Sequence, residues 1–281
     1  MESKIGSCFL GRTLELTDGK MFLAVTLDVG PRIIKMGKVG EESIMYEDVD
    51  DNVNKDVSLT YGDGKWWHIY GGHRIWISPE DETTYYPDNN PVSYELKENG
   101  AIFTPPAWVE RGVQPKLEIT FVGEGKAEIK MSLTNIASET KKLCLWALTV
   151  MKCGGTLEVP LSKEDTGYLA NRNLVIWHYN DIKDPRFDLQ NDKIILKSSK
   201  VCKGPFKVGA FINPFRTEYT LNNTTFIKTV DVKGEPNDYP DYCSNMETYT
   251  NEHIHEVETL SPFKMVEPGD NITHIERWEV K

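Results

Sequence analysis

Alternation with a period of two residues dominates the chain. Leu117, Ile119 and Phe121 are separated by polar residues, as are Ala127, Ile129, Met131 and Leu133. Successive strand side chains point to opposite faces, so each run predicts a half-buried antiparallel strand. The run from Leu143 to Met151 is apolar at nearly every position and predicts a strand covered on both faces. Turn signals interrupt these runs at short intervals, among them Asp18-Gly19, Asn99-Gly100, Gly123-Glu124-Gly125, Asn222-Asn223 and Pro268-Gly269. No long stretch carries a 3.6-residue period, so helix is expected only as short turns near 48–54 or 163–166. Nor does a composition break or flexible linker divide the chain. The pattern predicts an all-β protein with a single domain spanning 1–281, built as a sandwich or barrel. The polar loops 61–65 and 234–245 are expected to rim a cleft.

Composition narrows the partners. A formal net charge of -11 argues against nucleic acid and against an anionic membrane surface. No segment approaches the roughly 20 apolar residues of a spanning helix. Five widely spread cysteines without a C-x-x-C pair favour reduced thiols over a disulfide framework. Met1 to Ser7 lacks the apolar stretch of a secretion signal. The expectation is a cytoplasmic protein acting on a small molecule, with no cofactor; oligomeric state is left open.

Chemistry concentrates near the end. Glu247, Glu256 and Glu258 fall within twelve residues among strand-forming neighbours. A carboxylate facing a sheet interior is costly unless it is paired, hydrogen-bonded or turned to a ligand. If 253–260 is a strand, Ile254, Glu256, Glu258 and Leu260 share one face, and His253, His255, Val257 and Thr259 the other. Glu256 and Glu258 then stand about 7 Å apart. Glu258, beside Leu260, suits a general base of raised pKa. The alternative is a solvated face or pairing with Lys or Arg. The His253-x-His255 pair raises a cupin-like metal site, but the carboxylate such a site needs would point the other way. Metal ligands are therefore not expected.

A second cluster is Tyr70-Gly71-Gly72-His73-Arg74-Ile75-Trp76. Alternation sends His73 one way and Arg74 with Trp76 the other, and all can face one cavity only if the glycines create a bulge. His73 would serve as an acid, Arg74 as a fork of donors, and Trp76 as a flat surface for a sugar ring. A structural role for each is the alternative, since seven Trp and twelve Tyr must largely fill a core.

Several stretches resemble the galactose mutarotase-like (aldose 1-epimerase-like) superfamily. They are Leu27-Asp28-Val29-Gly30-Pro31-Arg32-Ile33-Ile34, Glu247-Thr248-Tyr249-Thr250-Asn251, Val257-Glu258-Thr259 and Pro268-Gly269. Gly71 to Trp76, Tyr86-Pro87-Asp88-Asn89, Trp146 to Thr149 and Trp177 to Arg186 resemble an uncharacterised bacterial branch of it. The resemblance implies a β-supersandwich of large antiparallel sheets with a carbohydrate site on a concave face. It also implies Glu258 as the base that takes the anomeric proton and Glu247 as a ligand-side neighbour. One departure is plain: the strand that carries the mutarotase acid histidine reads Leu145-Trp146-Ala147-Leu148-Thr149 here, without histidine.

The leading expectation is an aldose 1-epimerase-like enzyme with Glu258 as base and His73 as acid. Arg32, Arg74, Trp76, Arg186, Lys228 and Glu247 would orient the sugar, and the basic residues point to a sugar acid or phosphorylated sugar. A non-catalytic carbohydrate-binding domain is the alternative, with a metal-dependent cupin-like enzyme behind it.

Overall fold

The period-two runs form strands as expected, and they assemble into two large sheets. The computed structural model describes residues 1–281. A 12-stranded sheet begins at Glu2–Cys8 and passes through Gly11–Thr17, Met21–Thr26, Ile33–Lys38, Gly72–Ser78 and Lys141–Lys152. It continues through Ile254–Glu256, Met246–Thr250 and Phe206–Ala210, while Glu258–Leu260 lies between Lys141–Lys152 and Met246–Thr250. A 10-stranded sheet contains Val113–Gly123, Lys126–Asn135 and Asn271–Val280 in consecutive positions. The pairings are antiparallel throughout. None of the helices is long and apolar enough to cross a membrane. A right-handed α-helical turn forms at Ser58–Tyr61, while Pro240–Cys243 is a left-handed turn with positive φ at Asp241, Tyr242 and Cys243; neither lies near 48–54 or 163–166.

One cluster of buried hydrophobic side chains draws on both sheets and forms the core between them, with Leu117, Ile129 and Leu133 facing Ile75, Leu145 and Ala147. The strand Lys141–Lys152 is covered on its other face too, as its continuous apolar run predicts. There Cys144, Trp146, Leu148 and Val150 join a second cluster with Trp67, Trp76 and Leu260. That cover comes from a small hairpin, Asn54–Asp56 paired with Trp66–His68, and from loops, not from a third large sheet.

Gly71 and Gly72 feed the chain into the strand Gly72–Ser78 with φ of 96° and 65°. A Cβ on either would overlap a backbone carbonyl, that of Tyr46 for Gly71 and that of Ile33 for Gly72. They create no bulge within the strand. The register against Lys141–Lys152 runs unbroken from Val150↔Gly72 to Cys144↔Ser78.

The space between the sheets also holds a buried polar layer. Lys228 Nζ lies 3.0 Å from Glu276 Oε1 and donates to Thr149 Oγ1 at 2.6 Å and to the Val257 carbonyl at 2.8 Å. Trp278 Nε1 donates to Glu276 Oε2 at 2.7 Å, and Thr259 donates to Oε1 at 2.6 Å. His274 Nε2 lies 2.6 Å from Thr259 Oγ1. Burial pulls the imidazoles of His73 and His255 down to about 3 and that of His274 to about 4. Glu276 falls to about 2, because Lys228 and the two nearby histidines outweigh the cost of burying it.

These shifts set how stability depends on pH. Below 6.5 the unfolded chain protonates its histidines while the folded chain does not, and below 4.5 Glu276 adds the same sign, so acid destabilises. Glu247 acts oppositely: burial raises it to about 8, so its contribution is full below 4.5 and lost as pH rises through 8. Thermal unfolding followed from pH 3 to 9 is therefore expected to give the highest midpoint between about 4.5 and 6.5. A midpoint that rises steadily to pH 9 would contradict these assignments.

Candidate functional site

Alternation decides which side chains leave the core. On the strand Phe206–Ala210, Phe206, Val208 and Ala210 point between the sheets and Lys207 points outward. On Met246–Thr250, Met246 points inward while Glu247 and Tyr249 point outward. The segment 254–260 behaves as predicted, with Ile254, Glu256, Glu258 and Leu260 on the outer face. It is split at Val257, whose carbonyl is taken by Lys228 and whose N–H bonds the Thr149 carbonyl at 2.8 Å.

These outward groups meet a cavity of about 340 Å³. Its walls are aromatic, from Trp67, Trp76, Tyr85, Trp146, Tyr179 and Tyr249, and Lys55, Glu80, Lys207, Asn251 and Glu256 supply polar groups. Trp76 stacks on Trp67 at 5.5 Å and on Trp146 at 4.9 Å between centroids, forming a three-ring platform. Tyr85 stands edge-on to two of these rings. A wider hollow of about 710 Å³ runs along the N-terminal strands, lined by groups such as Glu2, Glu15, Thr17 and Lys35, none of them a buried ionisable group. The concentration of buried charge lies at the smaller cavity.

Beneath the platform, Glu247 and Glu258 face each other across paired strands. Lys207 joins them, 2.6 Å from Glu247 Oε2 and 3.7 Å from Glu258 Oε2. Its ammonium also lies 4.6 Å from the ring centre of Trp146 and 4.8 Å from that of Trp177, a cation–π sandwich. Trp146 Nε1 donates to Glu258 Oε2 at 2.5 Å, and Glu258 Oε1 has no partner. Glu258 is fully enclosed, one layer below the cavity surface. Burial raises the carboxyls of Glu247, Glu256 and Glu258, and mutual repulsion adds to the first two. Burial pulls Lys207 down, but Glu258 and Glu247 outweigh it and hold the ammonium well above its ordinary range. The floor therefore pairs a firmly charged ammonium with carboxyls that burial makes harder to ionise.

Of the residues singled out from sequence, the structure brings together Glu258, Glu247 and Trp76. Arg74 sits beside them, its guanidinium 5.4 Å from the Trp67 ring and 5.2 Å from that of Trp76, and it braces the platform without lining the cavity. The other assignments are corrected. His73 turns between the sheets, where Nδ1 lies 2.8 Å from Thr149 Oγ1 and its ring meets Trp278 edge-on. With no bulge at the glycines, it and Glu258 occupy opposite sides of one sheet, so His73 is not the acid at this cavity. Lys228 lies in the same inter-sheet layer as His73 and pairs with Glu276. Arg32 forms a buried two-pronged pair with Asp88, at 2.6 and 2.7 Å. Arg186 is spent on Asp184 and on the carbonyls of Cys202 and Gly204. None of the three can orient a ligand here. The His253-x-His255 pair is also divided, since the strand starts at Ile254, leaving His253 exposed and His255 buried beside Thr248 and Tyr219.

The cavity rim comes from 53–55, Glu80, Tyr85, Tyr179 and Asn251, not from 61–65 or 234–245. Sequence reasoning missed Lys207, although Phe206-Lys207-Val208-Gly209-Ala210 carries a signal. A lone lysine on an otherwise apolar strand is costly unless carboxylates await it.

The class of fold is defined by comparison with solved structures. A galactose mutarotase-like protein from Lactobacillus casei superposes with a TM-score of 0.60 at 11% identity, over 96% of this chain and 100% of that one. A galactose mutarotase-like protein from Clostridium acetobutylicum gives 0.60 at 9% identity, over 100% and 98%. A galactose mutarotase related enzyme from Lactobacillus acidophilus gives 0.53 at 10% identity, over 96% and 97%. The chain thus has the all-β fold of the galactose mutarotase-like proteins, as its sequence resemblance implies. No protein-family model and no curated protein sequence matches it.

Proposed function

We propose that the cavity binds an aldose and that the groups at its floor interconvert the sugar's anomers. The observation that carries this reading is the contact of Lys207 with Glu258 beneath a platform of stacked tryptophans. A pyranose offers apolar C–H faces to aromatic rings and a hydroxyl edge to polar groups, and this cavity offers both partners.

In the proposed cycle the Glu258 carboxylate takes the proton of the anomeric hydroxyl. As C1–O1 becomes a carbonyl, the C1–O5 bond breaks and Lys207 gives a proton to O5. The aldehyde end then turns about C1–C2. Closure runs the transfers backwards: Lys207 takes the O5 proton, O5 attacks C1, and Glu258 returns its proton to O1. Atoms and protons balance, and both groups end as they began. Lys207 does the work that a histidine does in the mutarotases this sequence resembles, because Trp146 stands on that strand and its indole N–H does not titrate.

A second reading is favoured by one observation, the complete enclosure of Glu258. If that carboxylate never reaches the ligand, the protein is a carbohydrate-binding domain without catalysis. Magnetisation transfer between the α and β anomer resonances of a panel of aldoses separates the two. Acceleration of at least one sugar above its rate in buffer is expected. Binding without acceleration for every sugar would leave only the second reading.

A further inference from the structure

The acidic or phosphorylated sugar suggested by sequence depends on Arg32, Arg186 and Lys228, and none of these reaches the cavity. The groups that do reach it are mostly acidic side chains. Glu80 and Glu256 line it and Glu247 with Glu258 underlie it, against Lys55 and Lys207. Both lysines are already engaged, Lys207 by two carboxylates and Lys55 by Glu82 at 3.0 Å with its ammonium 3.9 Å from the Tyr85 ring centre. Glu80 accepts a hydrogen bond from Tyr85.

Glu256 differs from all of these. It lines the cavity, is 8% exposed, and its carboxyl makes no hydrogen bond or ion pair within the protein. Its backbone carbonyl accepts a hydrogen bond from Thr248, but the carboxyl is left to the cavity. A buried carboxyl without a partner is costly, and a cavity that keeps one is shaped for a ligand that supplies the partner. The surrounding rings also favour a cation, since the faces of Trp and Tyr attract positive charge. Lys207, held between Trp146 and Trp177, is a working example of an ammonium in this wall.

We propose that the ligand is an amino sugar, its ammonium group bound by Glu256 within the ring wall of Trp67, Trp76, Tyr85 and Tyr249. This rests on the carbohydrate reading above and names the class of sugar. Burial and the nearby Glu258 raise the Glu256 carboxyl well above its ordinary range, so an arriving ammonium would ionise it as the two pair. A uronic acid or a sugar phosphate finds no free cation in this wall, because Lys55 and Lys207 are already paired with carboxylates.

Calorimetric titration of the full chain tests this with four matched ligands for each of the gluco and galacto series: the hexose, the 2-amino-2-deoxyhexose, its N-acetyl derivative and the uronic acid. The hexosamine is expected to bind about tenfold tighter than the hexose, with the uronic acid weakest. N-Acetylation, which removes the charge on the ligand side alone, should abolish the advantage, and Glu256→Gln should bring the hexosamine-to-hexose ratio to about one. A hexose bound as tightly as its hexosamine, or a uronic acid bound tightest, would overturn the amino-sugar proposal and leave the carbohydrate reading standing. Heat from none of the sugars would bring down both together.

Discussion

Replacing Glu258 by Gln is expected to lower the rate of anomer exchange by about 10²- to 10⁴-fold, the usual worth of a positioned proton-transfer group. The amide keeps the shape of the side chain, and its oxygen can still accept the 2.5 Å hydrogen bond from Trp146. What it loses is the ability to take a proton. Sugar affinity should change by much less than the rate, about threefold or below, because Glu258 lies beneath the cavity surface and contributes little to binding before reaction. Parallel measurement of exchange rate and affinity on the same preparation checks both halves. An unchanged rate would move the base elsewhere, to Glu256, the carboxyl on that face that lines the cavity itself.

The largest expected effect on stability lies on the other side of the sheet. Lys228→Met removes the cation from a fully buried pair and leaves Glu276 charged between the sheets. Such a loss typically costs about 3–5 kcal/mol, which for a chain of this size lowers the thermal midpoint by roughly 10 °C. The variant also frees the Val257 carbonyl and Thr149 from their 2.8 and 2.6 Å bonds. Removing both charges in Lys228→Met/Glu276→Leu should recover much of the loss, since a buried pair is weak evidence of net stabilisation but a lone buried charge is expensive. Because Lys228 holds the Glu276 carboxyl near 2, the single variant's deficit should narrow as pH falls through the carboxylate range. A Lys228→Met midpoint within a degree or two of the parent would show that the pair bears little on folding.

The strands were legible in the sequence because their physics is local. Period-two alternation assigns Leu117, Ile129 and Leu145 to the core, and it separates His73 from Arg74 and Trp76 correctly. It also places Glu256 and Glu258 on one face, apart from His255 and Thr259. Partnership between distant strands was not legible. Lys207 meets Glu247 and Glu258 only because Phe206–Ala210 pairs with Met246–Thr250, which in turn pairs with Glu258–Leu260. Arg32 and Asp88 lie 56 positions apart, and nothing near either announces their pairing. A glycine pair before His73 permitted a bulge that would have turned the imidazole toward Trp76, but Gly71 and Gly72 serve a close approach to the Tyr46 and Ile33 carbonyls instead. Basic residues therefore looked like ligand groups when they were already committed to buried carboxylates, and the acidic character of the cavity was hidden with them.

The central claim is that the tryptophan-walled cavity is where sugar binds. Seven tryptophans give separate indole N–H signals, and assigned spectra recorded during a sugar titration read each one. Saturation with a bound sugar is predicted to shift the signals of Trp67, Trp76 and Trp146, which form the platform, and to leave those of Trp108 and Trp278, buried in the core between the sheets, in place. Shifts confined to Trp108 or Trp278, or none at saturation, would contradict it.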